Sequence, residues 1–333
     1  MDESNADKAA YRGKHFTIPA FSKRGGIRFH GSAKSNIVVV DRSHPVIATL
    51  NQPFDLKHFK AARKPFSMGK LPPELIAALG DPSLAMPRTL DLPVKFPGSD
   101  YRLPGKLALV EPILRRAANM EALINPCVDE FYCYLTVDGG WVDVGLLQRE
   151  APCHVDGFQG ARWIPKVRGN HSYTVSNAVP TGYYVQPFDF DLLDEAKHNF
   201  FWEMNRQVAM TNSEFEWCPE DGEMTLMDCY CVHRGKPTSV RVWRTFVRIS
   251  FEVRIFDRLG NAHNPLFAYD WPMVKRDIED LNLVAFDESG DPSLRVFPHQ
   301  RPDGSAHEGR NKTQPNLRPG GANAVTDGAK ERT

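Results

Sequence analysis

The chain has 333 residues, of which 41% are hydrophobic, and its 41 Lys and Arg residues balance its 41 Asp and Glu residues. This length and apolar content suffice for a buried core, and the zero net charge gives no general argument for a polyanionic partner. The six cysteines form no Cys-x-x-Cys pair, and no apolar run approaches the roughly 18 residues of a membrane span. We therefore expect reduced thiols in a cytoplasmic protein that does not cross a membrane.

The two ends of the chain differ in composition from the middle. Residues 1–70 contain 13 Lys and Arg residues against five acidic residues, and we predict a flexible basic N-terminal arm over residues 1–30. A solvated arm is favoured over one that contacts phosphates. Residues 298–333 are rich in Gly, Pro, Asn and charge, so we predict a disordered tail there. Residues 31–297 are then expected to form a single domain.

The first third of this domain is expected to mix a few short elements. We predict a strand at residues 35–40, a short helix at 71–79 that begins with prolines, a proline-rich irregular segment at 81–104, and a helix at 110–124 that ends before Pro126.

After residue 125 the sequence is typical of short strands separated by turns. We predict strands at residues 130–137 (ending at a turn at 138–140), 142–148, 153–158, 173–176, 183–186, 215–218, 224–233 and 240–256. A helical insertion at 189–210 interrupts them, and a closing helix follows at 270–281. The expected fold is mainly β with flanking helices, and its core, at about 125–256, is a double-stranded β-helix of the jelly-roll or cupin-like kind.

The segment 240–256 has two unlike faces. Its odd positions are mostly apolar, whereas its even positions include Arg244, Arg248 and Ser250. Successive side chains of a strand point to opposite faces, so the odd face is expected to pack under helices and the even face to line a cavity. Charged groups that point inward need partners, because an unpaired buried charge is costly.

His154-Val-Asp156 is the motif with the most chemical content, and His233 lies 77 residues after Asp156. On a strand, residues two apart share a face, so His154 and Asp156 can bind one ion. Two histidines and one carboxylate form the ligand set that holds non-haem Fe(II) and leaves coordination positions open. Roughly half to one His-x-Asp tripeptide is expected by chance in a chain of this size, and the alternative interpretation is a surface His beside an Asp. Cys229 and Cys231 share the face of His233 and are alternative soft ligands or simply small buried residues.

The motif and the run Arg244-Thr-Phe-Val-Arg248-Ile-Ser250 resemble the Fe(II)/2-oxoglutarate-dependent dioxygenase superfamily over about residues 125–256. The resemblance implies that His154, Asp156 and His233 bind Fe(II). It also implies an arginine for the distal carboxylate of 2-oxoglutarate, and the fixed fork of a guanidinium suits that contact. Arg248 with Ser250 is the favoured candidate; Arg244 is the alternative, and the arginine not used would hold a carboxylate of the main substrate.

Three functions remain open. The first is oxidation of a small molecule, such as an amino acid or a natural-product intermediate, with O2 as oxidant and succinate and CO2 as co-products. The second is the same chemistry on a nucleic-acid base: residues 248–254 are similar to the Arg-rich strand of the alkylation-repair dioxygenases, although Glu252 replaces a neutral residue there. The third is a cupin-type zinc or manganese protein that is not an oxygenase. The insertion at 189–210 is expected either to close the pocket or to cover the sheet, and the oligomeric state stays open.

Overall fold

The computed structural model describes residues 8–12, 26–29, 37–149, 151–156, 168–193 and 198–273. Most of the predicted N-terminal arm, the tail at 298–333 and the predicted closing helix beyond residue 273 lie outside these ranges. In the described part, no helix is long and apolar enough to cross a bilayer.

The described elements are mostly antiparallel strands, which confirms the predicted fold class. The strands are β1 (Lys8–Arg12), β2 (Gly26–Phe29), β3 (Ile37–Asp41), β4 (Phe66–Lys70), β5 (Thr89–Lys95), β6 (Tyr101–Pro104), β7 (Tyr132–Val142), β8 (His171–Ser176), β9 (Gly182–Tyr184), β10 (Glu216–Trp217), β11 (Glu223–Asp228), β12 (His233–Arg234) and β13 (Val242–Glu252). The α-helices are α1 (Pro45–Ala48), α2 (Pro73–Leu79), α3 (Glu111–Ile124) and α4 (Phe200–Met210).

Two sheets form the core. The larger has six strands in the order β4-β11-β8-β13-β7-β5, and the smaller has three in the order β10-β9-β12. From β7 to β13 the chain crosses repeatedly between the two sheets, because β7, β8, β11 and β13 belong to the larger and β9, β10 and β12 to the smaller. This alternation is the winding of a jelly roll, and it brings distant segments of the sequence face to face.

Strand β13 lies inside the larger sheet, where it pairs with β7 on one side and β8 on the other. On its odd face, Val247, Ile249 and Phe251 are fully buried in the main apolar core, which also contains the α3 residues Ile113 and Leu114. Burial of such side chains stabilises the fold by about 1.5–3 kcal/mol each. The predicted apolar face is therefore confirmed. The side chains of the even face point the other way, to the interior of the barrel.

Helix α4 is shorter than the helical insertion predicted at 189–210. It begins at Phe200 because the Asn199 side-chain oxygen accepts hydrogen bonds from the backbone N–H groups of Phe201 and Trp202, at 3.0 and 3.2 Å. This contact satisfies two of the N–H groups that the first turn leaves unpaired. Residues 189–193 are not helical. Phe200 and Met204 are buried in a second apolar cluster.

Four other sequence predictions were wrong in detail. The proline-rich segment 81–104 contains β5, and Pro93 is tolerated there because β5 is an edge strand. The turn predicted at 138–140 is part of β7, since β13 pairs with it through Asp138 and Gly140, and β7 ends at Val142 rather than giving a new strand at 142–148. The strand predicted at 224–233 is two strands.

The larger sheet also extends beyond the predicted core at 125–256. Its two edge strands, β4 and β5, come from earlier in the chain. Non-local pairing of this kind cannot be read from local periodicity, because each strand finds its partner only when the sheet assembles.

Candidate metal centre

His154, Asp156 and His233 come together in the folded chain. Each offers one ligand atom, and these atoms all lie within 4.8 Å of one another. A search of the described residues for groups of three or more His, Cys, Asp or Glu side chains close enough to share a metal ion finds this group. The three predicted ligands therefore form one site that could hold a metal ion.

The two histidines are placed by a direct backbone contact. His154 lies opposite His233 in an isolated antiparallel bridge, in which each backbone N–H donates to the other residue's carbonyl, at 3.0 and 2.9 Å. Residues directly opposite each other in an antiparallel pair project their side chains to the same face. The two imidazole rings accordingly lie with their centroids 4.4 Å apart.

Each imidazole is oriented by a backbone carbonyl. The His154 Nδ1 lies 2.8 Å from the carbonyl oxygen of Pro152, and the His233 Nδ1 lies 2.9 Å from that of Cys231. A carbonyl oxygen only accepts, so each Nδ1 carries the proton and donates it. The Nε2 of each neutral ring is left with a free lone pair, which is the arrangement that metal-binding histidines use.

The charge state of the histidines agrees with this tautomer. Burial, reinforced by the neighbouring His154, lowers the pKa of His233 to about 4. Burial likewise lowers the pKa of His154, although Asp156 opposes the shift. Both rings are therefore neutral at pH 7 and need not lose a proton before they bind a cation.

Asp156 is held by Arg248. The Nη1 of Arg248 lies 2.9 Å from each of the two carboxylate oxygens of Asp156, and its Nη2 lies 2.8 Å from Oδ1 of Asp91. Burial alone would raise the pKa of Asp156, but the positive charge of Arg248 outweighs it and lowers the pKa below the ordinary value. The Asp156 carboxylate is thus ionised and is paired with a positively charged guanidinium.

Arg244 and Ser250, which were also predicted for the site, lie on β13 before and after Arg248 and have different partners. The Ser250 hydroxyl is 2.8 Å from the hydroxyl of Ser172 on β8. The Arg244 Nε donates to the carbonyl of Val179 at 2.8 Å, and its Nη1 donates to the side-chain oxygen of Gln148. Burial lowers the pKa of Arg244 to about 10, which leaves the guanidinium charged at pH 7.

The two cysteines considered as soft ligands take no part in the metal cluster that the described residues form. Burial raises the pKa of both the Cys229 and the Cys231 thiols well above the ordinary value, so both stay protonated at pH 7. A metal requires the thiolate. Cys229 instead packs against Gly169, where an added Cβ would lie 2.5 Å from its sulfur, and Cys231 contributes only its carbonyl to His233.

Two neighbours of the site were not assigned to it from the sequence. Asp91, on the edge strand β5, contacts Arg248 across 157 positions of the chain, and no local pattern marks it. Phe201, in α4, packs edge-on against His154 with ring centroids 5.9 Å apart. The aromatic composition of 189–210 indicated a packed segment, but not that this ring borders a residue of the candidate metal site.

A comparison of the sequence with protein-family models and with curated proteins finds no match. Among solved structures, the chain is similar to AviO1 from Streptomyces viridochromogenes Tue57 at 15% identity and a TM-score of 0.32, over 59% of this chain and 92% of that one. It is similar to EvdMO1 at 14% identity and a TM-score of 0.31, over 68% of this chain and 55% of that one. It is also similar to EctD from S. alaskensis with bound Fe, at 14% identity and a TM-score of 0.33, over 81% and 96% of the two chains.

Proposed function

We propose that this protein is an Fe(II)- and 2-oxoglutarate-dependent oxygenase that oxidises a small molecule. The observation that carries the proposal is the donor set: two neutral imidazoles with free Nε2 atoms and one ionised carboxylate, with ligand atoms within 4.8 Å of one another. Two histidines and one carboxylate bind non-haem Fe(II) and leave positions for further ligands. His154, Asp156 and His233 would hold the ion. When bound, Fe(II) would supply the redox chemistry by which O2 is the oxidant: one oxygen atom would convert 2-oxoglutarate to succinate and CO2, and the other would oxidise a substrate C–H bond.

The protein's own groups would bind the dicarboxylate cosubstrate through an arginine on β13. Arg248 and Ser250 are the pair favoured by their spacing in the sequence. The hydrogen-bond partners of the two arginines support Arg244 instead. Arg248 already contacts the carboxylates of Asp156 and Asp91, so a further carboxylate would meet two negative charges beside one positive charge.

Arg244, by contrast, is hydrogen-bonded to a carbonyl and a side-chain amide, which are both neutral. An incoming carboxylate would replace the Gln148 amide and form a charge-assisted pair in a buried setting, where such pairs are strong. We therefore assign the distal carboxylate of 2-oxoglutarate to Arg244, with Arg248 and Ser250 as the alternative.

The aromatic side of the site supports a small-molecule substrate with an uncharged portion. Phe201 borders His154, and behind it the second apolar cluster contains Phe188, Phe190 and Phe200. Sites for small molecules commonly combine an apolar wall with a few placed polar groups. The proposed substrate class is a small metabolite, such as an amino acid or a natural-product intermediate, whose oxidised carbon lies against this wall.

The test is turnover of 2-oxoglutarate by protein loaded anaerobically with Fe(II) and then exposed to O2 with a library of metabolites. Succinate formed above the substrate-free background, and lost in His233→Ala, is the expected result. Absence of succinate with every metabolite, together with stoichiometric binding of zinc or manganese, would instead support a metal-dependent protein that is not an oxygenase. Turnover of alkylated oligonucleotides but of no metabolite would move the substrate class to nucleic acid.

A further inference from the structure

Among the described residues, the Arg248 guanidinium contacts one carboxylate besides that of Asp156, and it belongs to Asp91. The Arg248 Nη1 donates to the carboxylate of Asp156, and its Nη2 donates to Oδ1 of Asp91. Its Nε is buried and has no hydrogen-bond partner in the described part of the chain. If the Asp91 contact were removed, the guanidinium would be held by the metal-ligating carboxylate alone. The position of Arg248 thus depends on Asp91.

An irregularity in β5 sets the direction of the Asp91 side chain. The register between β5 and β7 shifts between Thr89 and Leu92, and Asp91 has a φ of +48°. Bulges redirect single side chains, and a residue other than glycine in the left-handed region is uncommon and clusters at functional sites. Asp91 is held there by Thr136 of β7, whose hydroxyl lies 3.1 Å from both the backbone nitrogen and Oδ1 of Asp91.

Thr136 also lies directly opposite Arg248 in the sheet. The contact between Asp91 and Arg248 is therefore built on the backbone register of three neighbouring strands, β5, β7 and β13. Because paired backbone fixes the positions of both residues, the ion pair between Asp91 and Arg248 is a rigid part of the sheet.

The position that Arg248 takes on Asp156 restricts how that carboxylate can bind a cation. Its Nη1 is equidistant, at 2.9 Å, from both oxygens, so it occupies the midline of the carboxylate. A metal ion bound by both oxygens would need the same midline. With the guanidinium in place, a cation has access to one oxygen only, which leaves more of its coordination positions for other ligands.

A bound cation would also repel Arg248, since both would share one carboxylate. Asp91 counters that repulsion, because its carboxylate supplies a second negative charge 2.8 Å from the other terminal nitrogen of the guanidinium, Nη2. Without Asp91, the uncompensated charge of Arg248 would compete with the metal ion for Asp156.

We propose that Asp91 is a positioning residue that acts through Arg248: it holds the guanidinium on the midline of Asp156, so that this ligand offers a single oxygen to the metal ion and the ion binds without expelling the arginine. This rests on the proposed role of His154, Asp156 and His233 as metal ligands. The proposal therefore gives the edge strand β5 a role in positioning a residue of the metal centre.

The test is a double-mutant cycle on the full chain with Co(II) as the probe, because Co(II) is stable in air and reports its ligands by visible absorption. Co(II) affinity and spectrum are measured for the unsubstituted protein, Asp91→Ala, Arg248→Ala and the double variant. We expect Asp91→Ala to weaken Co(II) binding by about 10- to 100-fold, as is usual when a partner of a metal ligand is lost. In the Arg248→Ala background the same substitution should change the affinity by less than about threefold, because the two residues act as one unit.

Glu111→Gln is the matched control. Glu111 is a fully buried carboxylate paired with Arg115 in α3, and its substitution should leave Co(II) binding unchanged. Asp91→Asn keeps the shape and an accepting oxygen, so it provides a second variant if Asp91→Ala does not fold, and it should show a smaller loss. An equal loss with and without Arg248, or no loss in either Asp91 variant, would overturn the inference while leaving the metal site in place. Failure of the unsubstituted protein to bind Co(II) would overturn the proposed function and the inference together.

Discussion

His154 and His233 exchange both of their backbone hydrogen bonds, at 3.0 and 2.9 Å, although 79 positions separate them in the chain. Main-chain pairing thus sets the distance between two of the three proposed metal ligands, and the side chains need only the rotamers that the carbonyls of Pro152 and Cys231 select. A site built on paired backbone is more accurately placed than one built on loops.

The first prediction concerns the ligands. His154→Ala should abolish Fe(II) binding and 2-oxoglutarate turnover while the circular dichroism spectrum stays unchanged, because it removes one of three ligands and little of the core. His263→Ala is the control, since His263 stacks on Tyr269 and is not part of the metal cluster. Full metal binding by His154→Ala, measured by anaerobic titration, would refute the assignment.

The second prediction separates the two arginines. Arg244→Ala should weaken 2-oxoglutarate binding by about 2–5 kcal/mol, the usual cost of losing one partner of a buried charge pair. Arg244→Lys should restore only part of it, because an ammonium lacks the bidentate fork. Isothermal titration of 2-oxoglutarate into the metal-loaded variants measures both effects. If Arg244→Ala binds normally and Arg248→Ala, with its metal bound, does not, the pair Arg248 and Ser250 is the clamp.

The third prediction is a dependence of stability on pH in the metal-free protein. The pKa of His233 is about 4 in the folded chain, against an ordinary value of 6.5. Above pH 6.5 the ring is neutral in both states and its contribution to stability is complete. As the pH falls from 6.5 towards 4, the unfolded chain takes up the proton first, and about 3 kcal/mol of stability is lost. His233→Gln should lack this part of the loss, measured as the difference between urea unfolding curves of the two proteins at pH 7 and pH 4.5. Parallel pH profiles for the two proteins would contradict it.

The fourth prediction concerns helix α4, for which the sequence left open a lid or a cover. Met204 is fully buried in the second apolar cluster, whereas Met210, in the last turn of the same helix, is 64% exposed. Met204→Ala should therefore reduce the free energy of unfolding by about 2–5 kcal/mol, and Met210→Ala should change it by less than about 0.5 kcal/mol.

Hydrogen exchange over α4 completes this comparison. High protection that does not change when 2-oxoglutarate and substrate are added would make the helix a fixed cover, as the burial of Phe200 and Met204 favours. Protection that rises with ligands would make it a lid.

The sequence by itself determined the features that depend on local order. The alternation along residues 240–256 is a property of adjacent positions, so it predicted which face of β13 packs into the apolar core. The pattern of His154, Asp156 and His233 predicted a cluster that could hold a metal ion, and the three side chains do come together, because two histidines and a carboxylate are chemically suited to one ion.

Only the tertiary structure decided the partners of these residues. Nothing within a few positions of Asp91 or Arg248 indicates that they meet, because their contact depends on the order of β5, β7 and β13 in the sheet and on a bulge that turns one side chain. The same holds for Arg244 and Arg248: they lie four positions apart on one strand, yet one has neutral partners and the other has two carboxylates. Electrostatic surroundings are set by which segments pack together, and those long-range pairings form only when the whole barrel closes.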